Sequence, residues 1–129
     1  MLSKMKQATV TCLLIVASLI FVYSVYAAQK KDEDKLSCIE VEVTLTTDTG
    51  GVKGVAKGKT KCNSSYGSLY LYAVVAGKKP AANQRPYYGI VDRKAETQVG
   101  SNSRNNQASA VGHDYYNNQH VNALVRGRV

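Results

Sequence analysis

CIEVEVTLTTDTGGVKGVAKGKTKC, residues 38–62, holds the pattern that decides the fold. From Ile39 the chain alternates: Ile39, Val41, Val43 and Leu45 are apolar, and Glu40, Glu42, Thr44 and Thr46 are polar. Successive side chains of a strand point to opposite faces, so a period of two marks a half-buried strand. Gly50-Gly51 interrupts the alternation, and two glycines between alternating segments signal a tight hairpin turn. A turn on those two glycines places Glu40 opposite Lys61, Glu42 opposite Lys59 and Thr44 opposite Lys57. Opposite charges facing each other across a strand pair contribute from a few tenths to about 1 kcal/mol. The other face then pairs Leu45 with Ala56 and Val43 with Gly58, small and apolar.

This register sets Cys62 opposite Ile39 on the apolar face and leaves Cys38 on the polar face. A regular ladder would hold the two sulfurs apart, so a disulfide needs a bulge, a strand end or a local twist near Cys38. A slip of one residue would make the cysteines direct partners, but would set Val41 and Val43 opposite Lys59 and Lys57. The charge pairing therefore sets the middle of the hairpin, and irregularity is expected at its cysteine end. Beyond residue 27, Cys38 and Cys62 are the only cysteines. In an oxidising compartment they most simply pair with each other, and closing that loop contributes roughly 3–4 kcal/mol.

Outside this hairpin, the start of the chain reads as an address. Lys4 and Lys6 precede an apolar run from Ala8, and Val25-Tyr26-Ala27 resembles a signal-peptidase site. Residues 1–27 are expected to be a cleaved signal peptide. The rival reading is a membrane tether through residues 8–27, since 20 apolar residues can span a bilayer. Residues 28–36, with the run KKDEDK, read as a charged spacer without structure of its own, and 37–129 as a single β domain. Of the 17 Lys and Arg, Lys4 and Lys6 fall in the leader, leaving 15 against 9 Asp and Glu. A cationic exported domain meets anionic cell-surface polymers, glycans or partner proteins; export argues against nucleic acid.

Further along, GSLYLYAVVAG (67–77) places Leu69, Leu71, Ala73 and Val75 on one face and Tyr70, Tyr72, Val74 and Ala76 on the other. With both faces apolar it reads as a central strand. GKKPAANQRP reads as a loop. YYGIVDRKAETQV (87–99) is either one strand bulged near Gly89 or a strand followed by a helical turn. QASAVGHDYYNNQHVNALVRGRV forms a second hairpin with its turn on Asn117-Asn118. About six strands result, with no helix, which is the pattern of a small antiparallel β-sandwich or open barrel.

The chemistry is sparse. His113 and His120 are the only histidines, and the expected register sets them diagonally, about 7–8 Å apart. Zinc sites use three or four ligands, Asp114 points to the other face, and the cysteines are engaged, so no metal site is expected. No serine sits in a nucleophile motif, and neither an enzyme nor a cofactor is expected. His113, Tyr115, His120, Asn122 and Arg126 share one face of the second hairpin and are the candidate ligand-binding residues. In overall plan, a leader and a small cationic β domain, the chain resembles in composition some exported bacterial β-sandwich proteins, bacteriocin-like ones among them. Two functions are expected from this: a binding or structural module outside the cell, or a secreted bacteriocin-like antagonist of neighbouring cells.

Overall fold

The computed structural model describes residues 28–129; the leader, or anchor, expected over 1–27 lies outside the described residues. Eight strands follow one another: β1 Gln29–Lys35, β2 Ile39–Asp48, β3 Gly51–Thr60, β4 Tyr66–Val74, β5 Ala81–Tyr88, β6 Asp92–Glu96, β7 Gln107–Asp114 and β8 Gln119–Arg126. They form two antiparallel four-stranded sheets, ordered β1-β2-β3-β6 and β5-β4-β7-β8. No helix occurs among the described residues, including over 92–98.

One core lies between the sheets, an arrangement consistent with a β-sandwich. Ile39, Val41, Val43 and Leu45 of β2 pack with Leu69, Leu71 and Ala73 of β4 and with Val121, Ala123 and Val125 of β8. Each fully buried Val, Ile or Leu contributes about 1.5–3 kcal/mol. Opposite these large side chains, β3 turns Val52, Gly54, Ala56 and Gly58 inward. The smallness is needed, because a Cβ on Gly58 would lie 2.9 Å from Leu69 Cδ2.

Both expected hairpins form, each displaced by two residues. In β2–β3 the facing pairs are Glu40–Lys59, Glu42–Lys57, Val43–Ala56 and Leu45–Gly54, and the hairpin closes at Asp48–Gly51. The turn therefore falls on Thr49-Gly50. Gly50 takes the left-handed conformation, with φ of 79°. Gly51 is needed for another reason: a Cβ there would lie 2.1 Å from the Gly100 carbonyl oxygen, which accepts from the Val52 N–H. In β7–β8 the closing pair is Asp114–Gln119, so the turn is the four residues 115–118 rather than Asn117-Asn118 alone. Asp114 Oδ1 accepts from the Asn117 N–H at 3.0 Å, and Asn118 takes a positive φ of 52°. A shift of two preserves every face assignment, because the side-chain period is two.

Two sequence expectations need correcting. The charged stretch 28–36 is largely strand β1, paired to β2. Six of the ten residues of the expected loop, 81–86, belong to β5, an edge strand that accommodates Pro86. The count rises from about six to eight through β1 and through division of 87–99, where Gly89 (φ 70°) ends β5 and the chain crosses to β6 in the other sheet.

The corners between the sheets are sealed by side chains. Asp34 Oδ2 accepts from the Asn122 N–H and Asp32 Oδ2 from the Leu124 N–H, both at 3.0 Å, while Lys30 Nζ donates to the Arg126 carbonyl. At the other corner Arg93 donates to the carbonyls of Arg85 (2.9 Å) and Pro86 (3.1 Å). These bonds occupy backbone groups that an open edge would offer to another chain. Cys38 and Cys62 are joined, with Cα atoms 5.0 Å apart. Both lie just outside the β2–β3 ladder, the irregular end the expected pairing required.

Candidate functional site

The two outer faces of the molecule differ in chemistry. On the β1-β2-β3-β6 sheet, charges alternate and pair. Glu40 meets Lys59 at 3.0 Å and Lys61 at 3.2 Å; Glu96 meets Lys94 at 2.8 Å and also Lys53; Glu42 meets Lys31. Lys53, then Lys94, hold the Glu96 carboxyl down at about 2. Lys59 foremost also lowers the Glu40 carboxyl. A shallow depression of about 260 Å³ on this face is lined by Glu40, Glu42, Lys57 and Lys59 among others. Exposed pairs of this kind solvate the face and contribute little each.

The outer face of β5-β4-β7-β8 is neutral and aromatic. Strand β4 turns Leu69, Leu71 and Ala73 into the core, so Tyr66, Ser68, Tyr70 and Tyr72 project outward. Pairing extends this parity across the sheet. Pro86, Ser68, His113 and His120 form one row, Gln84, Tyr70, Val111 and Asn122 the next, and Ala82, Tyr72, Ser109 and Leu124 a third. The strand residues of this face include no Lys, Asp or Glu, and Arg126 is their single charge. Tyr88, 81% exposed, faces Tyr66 across the β4–β5 pair.

At the 115–118 end the rings gather. Tyr66 lies 6.3 Å from Tyr115 and 6.1 Å from Tyr116, His113 lies 4.3 Å from Tyr115, and the His113 and His120 rings are 5.2 Å apart. These spacings are those of contacting aromatic groups. The cluster stands on buried supports. Asp114, beside His113, is fully buried, accepts from the Ser65 hydroxyl, and accepts from Asn117 through both backbone and side chain. Burial pushes its carboxyl upward, but hydrogen bonds from Ser65 and Asn117 outweigh that and lower it. Gln119, beside His120, accepts from the Cys38 N–H at 2.9 Å and donates to Ser37 Oγ at 2.6 Å, which ties β8 to the disulfide.

All five candidate binding residues lie on or at this face. His113, His120, Asn122 and Arg126 project from the strands, and Tyr115 sits in the turn with its ring on His113. The structure gathers His113, Tyr115 and His120. It separates Arg126 from them, since six residues of strand span roughly 20 Å. The histidines are direct cross-strand partners rather than diagonal neighbours. The larger part of the aromatic face, Tyr66, Tyr70, Tyr72, Tyr88 and Tyr116, was missed as a site. Parity in 67–77 already put Tyr70 and Tyr72 together; the absent information was that β4 lies beside β7.

Ser65 and Asp114 touch, but both are buried, and the neighbouring His113 projects the opposite way. Among the described residues no group of three or more His, Cys, Asp or Glu side chains is placed to hold a metal ion. No protein-family model matches the chain, and no curated protein or solved structure is significantly similar to it.

Proposed function

We propose that this protein is an exported β-sandwich binding module whose working surface is the aromatic face of β5-β4-β7-β8, and that its ligand is an uncharged glycan outside the cell. One observation carries the reading: the exposed tyrosines are concentrated on one sheet face nearly free of ions, while the ion pairs occupy the other. Exposed rings stack on the apolar C–H faces of sugars, and flanking amides and hydroxyls, here Gln84, Asn122, Ser68 and Ser109, match sugar hydroxyls. An anionic polymer would call for cations on the same face, and only Arg126 is there. Export is supported by the leader in the sequence and by the Cys38–Cys62 disulfide, a bond suited to an oxidising compartment. Cleavage after Ala27 would give a mature chain that begins at Ala28.

The test is binding to immobilised neutral polysaccharides and to an oligosaccharide array. Tyr70→Ala and Tyr66→Ala should each weaken binding about tenfold or more, the loss of roughly 1.4 kcal/mol expected for an aromatic anchor. Lys57→Ala, on the opposite face, should leave it unchanged, and 0.5 M NaCl should have little effect. Binding only to anionic polymers, lost with salt, or binding indifferent to Tyr70→Ala, would overturn the assignment.

A further inference from the structure

We propose that His113 and His120 form a two-imidazole site for a borderline divalent transition metal, with Cu²⁺ bound most tightly, and with the remaining coordination positions open to water or an outside ligand. Such a site would stand whether or not the tyrosine face binds a glycan.

The two residues are direct partners in the β7–β8 ladder, and their rings project from the same face with centroids 5.2 Å apart. Imidazole is the side-chain ligand suited to Cu²⁺, Ni²⁺ and Zn²⁺, and affinity at a given nitrogen site rises through the series to Cu²⁺. The sheet holds both rings in advance. Next to His113, Asp114 is locked by Ser65 and Asn117; next to His120, Gln119 is locked to the Cys38 backbone and Ser37. The Tyr115 ring, 4.3 Å from that of His113, limits its swing. Neighbours of the pair in the ladder are Ser68, Val111, Asn122 and Pro86, so no cation stands in its row to repel a metal. Of the nearby carboxylates, Asp114 faces the interior with its oxygens occupied, and Asp34 Oδ2 is held by the Asn122 N–H, so neither is set as the hard oxygen ligand that Ca²⁺ and Mg²⁺ take. With two protein ligands the site is exchangeable rather than structural, and could bridge to a donor atom of a second molecule.

The experiment is a Cu²⁺ titration of the mature protein, followed by electron paramagnetic resonance and by competition with a chelator of known affinity. The wild-type spectrum should show coupling to two nitrogens. His113→Asn and His120→Asn should each lower affinity at least tenfold and reduce the coupling to one nitrogen, with the circular dichroism spectrum unchanged. Because both side chains are solvent-facing, these variants are expected to fold; a Zn²⁺-induced rise in Tm, present in wild type and absent in the double variant, gives a second readout. The proposal is overturned if wild type binds Cu²⁺ no more tightly than either single variant, or if its spectrum shows only one imidazole nitrogen.

Discussion

Asp114 is the residue on which the β7–β8 turn depends. Its side chain is fully buried, yet three hydrogen bonds from Ser65 and Asn117 satisfy the ionised form. Replacing it with Ala would leave the Ser65 hydroxyl and the Asn117 donors facing a void, so Asp114→Ala should cost at least about 2 kcal/mol in a urea melt. The same group sets a pH response. Its folded carboxyl is held below its ordinary value of 3.8, and that of Glu96 lies at about 2 against an ordinary 4.5. A depressed carboxyl means the unfolded chain takes up protons first as pH falls, so these contributions are complete above the ordinary values and are lost below them. Unfolding free energy should therefore change little with these groups from pH 7 to about 5, then decline towards pH 2. A series of urea melts checks the window, and in Glu96→Gln the decline should be shallower. A flat profile down to pH 2 would mean these carboxyls are not depressed in the folded protein.

Strand β1 shows how an element can form without a core face. None of its residues belongs to the apolar core, and it is held by its ladder to β2 and by Lys30, Asp32 and Asp34 along the edge of β8. Such an element should be among the first to open. Asp32→Ala with Asp34→Ala should raise hydrogen-exchange rates at the Asn122 and Leu124 amides, whose acceptors are removed, while the Leu71 amide stays protected. If the Leu71 amide loses protection equally, β1 is part of the global unfolding unit. The sequence concealed this strand for the same reason: KKDEDK has no apolar alternation, and its side chains are held by the edge of β8, far along the chain. Where apolar parity existed, as in 39–45, 67–75 and 121–125, faces were legible. Registers were each two residues off because turn length depends on contacts the chain makes elsewhere. Gly51 is fixed by the Gly100 carbonyl, and the 115–118 turn by the buried Asp114. The shared face of the candidate residues on β7 and β8 was legible by parity, whereas its joining to the β4 tyrosines depended on strand order, which local pattern does not encode.

At the scale of the whole molecule the chemistry is divided: the two sheets share one core, and their outer faces carry opposite character. The disulfide ties the start of β2 to the segment after β3 at the end where Gln119 anchors β8. Cys38→Ser with Cys62→Ser should lower stability by roughly 3–4 kcal/mol, read as a shift in urea midpoint, if constraint of the unfolded chain is its main effect. A sharper test of the division comes from two adjacent residues of β4. Leu71 is fully buried between the sheets, whereas Tyr70 is 50% exposed on the aromatic face. Leu71→Ala removes a core side chain and should cost about 2–5 kcal/mol. Any ligand affinity should survive in the fraction that remains folded. Tyr70→Ala removes a half-solvated ring and should cost under about 1 kcal/mol, while glycan affinity falls about tenfold. Stability and binding should thus separate completely across one peptide bond. Equal destabilisation by both substitutions would show that the outer face of β4 is covered, and the working surface would then have to lie elsewhere on the molecule.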